Sequence, residues 1–136
     1  MIGVHVSAEV WMNTVFQIAI GGGLGAALRY GSIQGAVRVL GLGAPAGVFA
    51  VNVAGSFLMG LFAVWFLERV GEARFAPFVM TGILGGFTTF SAFSLDAILL
   101  WEQGRGGVAM VYVLGSVLGA IAALFVGMII MRAVLS

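Results

Sequence analysis

Side chains that donate hydrogen bonds interrupt the long apolar segments of this sequence. Most of them are uncharged, and the polar residues within the apolar segments include Arg29, Gln34, Asn52, Ser56, Thr88, Thr89, Ser91, Ser94, Asp96, Tyr112 and Ser116. Because polar groups are costly to bury in lipid, such residues indicate function by default. Amides and hydroxyls in series can replace the hydration shell of a small anion, as carbonyl oxygens do for cations in channel filters.

Two phenylalanines fit the same chemistry. Phe90 and Phe93 are three residues apart and so share one face of a helix, as do Tyr112 and Ser116 by their spacing of four. The edge of an aromatic ring carries partial positive charge and can face an anion. In the alternative interpretation, the rings fill a protein core and the hydroxyls bond back to their own helices. The residues alone leave both interpretations open.

The run from Gly85 to Ser94 predicts a break in a membrane helix. It reads Gly-Gly-Phe-Thr-Thr-Phe-Ser-Ala-Phe-Ser, and adjacent glycines followed by adjacent threonines disfavour a continuous helix. At membrane depth, non-helical backbone is tolerated only where it is buried in protein or lines a polar cavity. We therefore expect freed backbone carbonyls near the middle of this segment, available to bind a ligand.

The composition is that of an integral membrane protein. The chain has 136 residues, of which 62% are hydrophobic and 8% charged, and its net charge of +1 gives no reason to expect nucleic acid as a partner. It contains no cysteine, and its only histidine, His5, is expected to be solvated. Without paired carboxylates, a serine–histidine pair or a metal-ligand cluster, we expect no enzyme. The first ten residues lack Lys and Arg, so we expect no cleavable signal.

Four segments are long enough to cross a hydrocarbon core of about 30 Å. They predict an all-α protein, a single transmembrane domain over residues 1–136, with spans at about residues 10–39, 46–67, 75–101 and 107–135. Small residues recur at spacings of four and predict close helix packing. These residues are Gly21 and Gly25, Gly82 and Gly86, and the series Gly115, Gly119, Ala123 and Gly127.

The basic residues give almost no orientation bias. Four spans put both termini on one side of the membrane, together with Arg69, Arg74 and Arg132, while the other side has Arg38, Arg105 and, if near enough, Arg29. One interpretation is a dual-topology protein that pairs with an inverted copy as an antiparallel homodimer. The other is an orientation that is set by something else.

Three motifs resemble those of the Fluc (CrcB) fluoride channel family. The run from Gly85 to Ser94, preceded by Thr81-Gly82, is similar to the family's third-helix signature, and residues 22–30 and 52–60 resemble its first-helix and second-helix motifs. The likeness covers the whole chain in length, number of spans and motif order. It implies a bacterial inner-membrane protein, an antiparallel homodimer with two pores. Such a channel lets fluoride, which enters cells as neutral HF, leave passively.

The resemblance also implies roles for individual residues. The carbonyls of Gly85 and Thr88 from both subunits would hold a structural Na⁺, which an oxygen-only site without carboxylates suits better than zinc or calcium. Arg29 would lie near a pore entrance, attracting anions or pairing structurally. The implied fluoride pathway consists of Asn52 as amide donor, Phe90 and Phe93 as aromatic lining, and the hydroxyl residues Thr89, Ser91, Tyr112 and Ser116.

The sequence departs from the family pattern at four positions. Ala92 and Asp96 stand where threonine and glutamate are common, and Ala120 and Leu124 where relatives often carry hydroxyls. The series of donors is therefore expected to be shorter along the fourth helix.

The competing hypothesis is a small multidrug-type exporter with the same four-helix, dual-topology plan. Such an exporter would need a carboxylate in the first helix, where this chain has Arg29.

Overall fold

The computed structural model describes residues 8–41, 43–68 and 73–136, and every regular element within them is helical. Helix α1 runs over Ala8–Leu40 and α2 over Ala44–Glu68. A third segment, Ala73–Glu102, contains the 3₁₀ turn Ala73–Phe75, the π-helix Pro77–Leu84, the short helix α3 at Gly85–Phe87 and α4 at Phe90–Glu102. Helix α5 runs over Gly106–Leu135. The expectations for His5 and Arg69 lie outside the described residues.

Three of the described helical segments are long and apolar enough to cross a membrane: Ala44–Glu68, Ala73–Glu102 and Gly106–Leu135. They coincide with the second, third and fourth predicted spans. Helix α1 lies at the first predicted span and has 33 residues, but it is less apolar than the other three. The protein is thus an integral membrane protein. The crossing of the membrane by α1 stays a prediction.

The predicted break in the third segment is confirmed. Thr88 and Thr89 have extended backbone, with φ −84° and ψ 158° at Thr88 and φ −150° and ψ 123° at Thr89. The side chain of Thr89 caps the next helix by accepting a hydrogen bond from the Ala92 N–H at 3.2 Å. The eight-residue π-helix before the break had no signal in the sequence. Such wide turns are rare and occur frequently at functional sites.

Helix α1 crosses the third segment through glycines whose spacing predicted close packing. A Cβ atom added to Gly21 would lie 2.5 Å from the carbonyl oxygen of Phe78, and one added to Gly86 would lie 2.5 Å from that of Gly22. Helices α2 and α5 meet in the same way where Gly60 and Gly127 approach the opposing backbone. By contrast, a Cβ atom on Gly115 would meet nothing within 4 Å among the described residues. These crossings bring α2, α5 and the break together.

Candidate anion pathway

The amide of Asn52 holds the helix break in place. Its Oδ1 accepts a hydrogen bond from the Thr89 N–H at 2.8 Å, and its Nδ2 donates to the Thr89 carbonyl at 2.9 Å. This pair fixes the orientation of the amide, because a backbone N–H can only donate and a carbonyl can only accept. In a continuous α-helix the Thr89 N–H would instead donate to the carbonyl of Gly85. Asn52 thus satisfies the extended residue and leaves Gly85 without its helical donor.

The double contact limits what else Asn52 can bind. Its oxygen and one N–H are engaged by the backbone of Thr89, so one N–H remains for another partner. The sequence predicted an amide donor at this position and missed the structural contact. No local pattern could reveal it, because the two residues are 37 positions apart in the chain.

Arg29 lies at the break as well. Its Nη1 donates to the carbonyl oxygen of Thr88 at 3.3 Å, while the N–H and Oγ1 of Thr88 both donate to the carbonyl of Leu84. The guanidinium therefore supports the backbone where the helix ends. This contact agrees with the structural pairing that was one of the two expected roles of Arg29.

A cavity of about 360 Å³ lies between α2, the break and α5. Five of the predicted pathway residues contribute to its wall, namely Asn52, Thr89, Phe90, Phe93 and Ser116. None of the lining residues carries a charge. Ser116 is 5% exposed, and its Oγ is buried without a hydrogen-bond partner among the described residues. An unpartnered buried hydroxyl is costly, so a bound water or ligand at this atom would be stabilising.

The two phenylalanines of the cavity differ in exposure. Their ring centroids are 5.4 Å apart, with the ring planes tilted by 47°. Phe93 is 8% exposed, whereas Phe90 is 77% exposed at the outer surface of this chain. Both rings therefore line the cavity, with Phe93 buried within this chain and Phe90 extending the same aromatic surface outward.

Two predicted pathway residues do not line this cavity. The Oγ of Ser91 lies 3.3 Å from that of Thr89. Tyr112 packs on Phe93 with a centroid distance of 5.4 Å, and its hydroxyl donates to Oδ2 of Asp96 at 3.4 Å. Asp96 is one of the departures from the family pattern. Its carboxylate thus accepts the hydrogen bond that Tyr112 was expected to donate to an anion.

The backbone of the break has a donor set that fits a monovalent cation. The carbonyl of Gly85 has lost its helical N–H, and Gly85 is exposed. The carbonyl of Thr88 accepts from Arg29 and retains a second lone pair. No group of three or more His, Cys, Asp or Glu side chains lies together in the described part of the chain. Among the described residues, the groups at the break that could bind a cation are therefore these neutral carbonyl oxygens. Such oxygens suit Na⁺ better than a transition metal.

Comparison with known proteins identifies the family. A family model described as "CrcB-like protein, Camphor Resistance (CrcB)" matches residues 16–128. A "Fluoride-specific ion channel FluC" of Cereibacter sphaeroides is 50% identical over 121 residues, which cover 89% of this chain and 96% of the relative. Proteins of the same name from Mesorhizobium japonicum and Rhodopseudomonas palustris are 48% and 50% identical, each over 89% of this chain and 98% of the relative. The chain therefore belongs to the CrcB family, a family of ion channels and not of enzymes.

Proposed function

We propose that this protein is a fluoride-selective channel through which cytoplasmic fluoride leaves a bacterium passively across the inner membrane. The relatives named as fluoride-specific channels support the choice of ion. One structural observation carries the proposal: Ser116, whose buried hydroxyl has no partner among the described residues, lines the same uncharged cavity as Asn52. Both side chains can donate to an anion, and Asn52 has one N–H left for it.

The chemistry of the cavity suits a small anion in transit. Hydroxyl and amide donors replace part of the hydration shell, and the aromatic edges of Phe90 and Phe93 add weak positive potential. The absence of a carboxylate among the lining residues removes the strongest source of repulsion. The absence of a lining cation keeps binding weak enough for the ion to leave, as conduction requires.

An antiparallel homodimer of inverted copies is part of the proposal. In the middle of a membrane segment, the exposed Gly85 has a carbonyl that lipid cannot satisfy. An inverted second copy would bring its own break to the same depth and cover the exposed ring of Phe90. The nearly balanced Arg count on the two sides agrees with insertion in both orientations. In this arrangement α1 is the first of four membrane spans.

We further propose that the Gly85 and Thr88 carbonyls of both copies hold a structural Na⁺. When bound, the ion supplies positive charge that compensates carbonyl dipoles pointing at one another. Within each chain, Asn52 keeps the Gly85 carbonyl free by taking the Thr89 N–H, and the Thr89 side chain does the same for the Thr88 carbonyl by taking the Ala92 N–H. Arg29 fixes the carbonyl of Thr88 from one side. The carbonyl oxygens of Gly85 and Thr88 are therefore held in place by the protein itself, without a bound ion.

Transport without coupling separates the channel from the exporter alternative. Liposomes that contain the purified protein and potassium fluoride, with valinomycin to carry K⁺, should release fluoride down its electrochemical gradient. We expect the rate to stay unchanged when a protonophore or a Na⁺ gradient is added. Stoichiometric movement of protons or Na⁺ against fluoride would contradict the channel and favour an exporter.

Replacing Phe93 by isoleucine should slow fluoride release by roughly 2- to 10-fold, because it removes an aromatic edge from the cavity and a ring pair with Phe90 that is worth about 0.5–1.5 kcal/mol. The same change at Phe90 should act in the same direction. Phe62→Ile is the matched control, since Phe62 stacks on Phe66 within α2 and does not line the cavity. Wild-type rates of fluoride release in both Phe90→Ile and Phe93→Ile would show that the two rings only pack and do not contribute to conduction.

A further inference from the structure

The hydroxyls around the cavity divide into two groups. Those at the break have partners within the protein: Thr88 donates to the Leu84 carbonyl at 2.9 Å, and Thr89 accepts from the Ala92 N–H and shares a hydrogen bond with the Ser91 hydroxyl at 3.3 Å. Ser94 donates to the carbonyl of Phe90 at 2.9 Å. Ser56 and Ser116 differ, because neither hydroxyl has a hydrogen-bond partner among the described residues, and both side chains line the cavity. These two hydroxyls are the free donors of the site.

Ser56 is placed to continue the path from Asn52. It lies one turn further along α2, on the same helix face, and it is half-buried. A serine within a helix often donates to the carbonyl four residues earlier, which here belongs to Asn52. Ser56 makes no such bond with the described backbone, so its O–H is available to the cavity.

The opposite wall offers few donors beyond Ser116. Ala120 and Leu124 follow it on α5, line the same cavity and carry no polar atom in their side chains. Among the described residues that line the cavity, the hydroxyls without a partner that an anion meets past Asn52 are those of Ser116 on α5 and Ser56 on α2. A donor from α2 compensates for the shorter hydroxyl series that the sequence indicated for the fourth helix.

We propose that the hydroxyl of Ser56 is a fluoride ligand of the conduction path, acting with Ser116 from the facing wall. This assignment rests on the proposed channel function and adds a residue that the resemblance to the family did not supply. The O–H of Ser56 donates to the anion while the remaining N–H of Asn52 lies one turn away. The ion thus passes from an amide to a pair of hydroxyls without losing all of its hydrogen bonds.

The test compares fluoride efflux from liposomes for the wild type and for Ser56→Ala, Ser56→Thr and Ser116→Ala. Because a hydrogen bond to a charged group is worth about 1.5–3 kcal/mol, we expect Ser56→Ala to conduct at least roughly tenfold more slowly. Ser56→Thr keeps the hydroxyl and should retain most of the flux. Ser94→Ala is the matched control, because that hydroxyl bonds to its own helix, and it should conduct at the wild-type rate.

A packing role would give a different result. If Ser56 only fills space, alanine should change the melting temperature and the yield of protein, while the fluoride concentration that half-saturates flux stays constant. We expect that concentration to rise in Ser56→Ala and the melting temperature to stay close to that of the wild type. If alanine prevents folding, Ser56→Cys tests the same donor, since a thiol is nearly the same size and donates weakly.

Wild-type flux and half-saturation in Ser56→Ala, or in Ser56→Cys where alanine does not fold, would overturn the assignment of Ser56 and leave the channel intact. Failure of the wild type itself to release fluoride would instead refute the proposed function. The two failures are thus distinguishable within one set of liposomes.

Discussion

Asn52→Ala is expected to reduce fluoride flux at least about 100-fold while leaving the proposed homodimer assembled. The change removes the free N–H that faces the cavity and both hydrogen bonds to Thr89. Each partly buried backbone group that loses its partner costs about 1–3 kcal/mol, so the break should also become less ordered. Efflux rate, melting temperature and elution volume in size-exclusion chromatography measure the three effects.

Two further variants separate the roles of Asn52. Asn52→Asp keeps an oxygen for the Thr89 N–H, but it loses the donor to the Thr89 carbonyl and adds a negative charge to the cavity. It should therefore fold better than Asn52→Ala and conduct no better. Asn13→Ala is the matched control, since Asn13 is exposed on α1 and does not line the cavity. A wild-type rate in Asn52→Ala would remove Asn52 from the pathway.

Gly25→Ala is expected to destabilise the protein by about 1–3 kcal/mol, the usual cost of overpacking. The added Cβ atom would overlap the carbonyl oxygen of Ile83 and lie 2.8 Å from the backbone nitrogen of Phe87. Backbone atoms cannot rotate away as a flexible side chain can, so α1 must move from the third segment. Thermal melting in detergent, followed by tryptophan fluorescence, measures the loss.

The same variant should also impair conduction. Arg29 lies one turn beyond Gly25 on the same face of α1, and its guanidinium donates to Thr88. Displacing α1 would draw Arg29 away from the break. Gly23→Ala is the control, because a Cβ atom there meets nothing within 4 Å among the described residues and alanine favours a helix. Equal melting temperatures for the two variants would contradict the proposed close crossing.

Local sequence was sufficient to predict where the long helices and the break lie, although not the π-helix at Pro77–Leu84. Adjacent glycines and threonines weaken a helix in themselves, so Thr88 and Thr89 could be expected to leave it. Glycines at spacings of four predicted close helix packing, and the crossing of α1 with the third segment is one such contact, because only a missing Cβ atom allows such an approach. In both cases the physical cause lies within a few neighbouring residues.

The partners of individual polar groups could not be predicted in this way. Asn52 and Thr89 are 37 residues apart, and Arg29 and Thr88 are 59 apart, so their contacts depend on how the helices cross. Tyr112 looked like a free donor because its bond to Asp96 joins two helices. Ser56 and Ser116 differ from the other hydroxyls in having no hydrogen-bond partner among the described residues, a difference that depends on the folded structure.

The most direct test of the central claim is a comparison of fluoride and chloride release from the same liposomes. Vesicles containing the wild-type protein are loaded with potassium salts of both ions, valinomycin is added, and ion-selective electrodes follow both anions. A cavity of uncharged donors without a lining cation should pass fluoride far faster than chloride. Equal rates for the two anions, or no fluoride release above that of protein-free liposomes, would contradict a fluoride-selective channel.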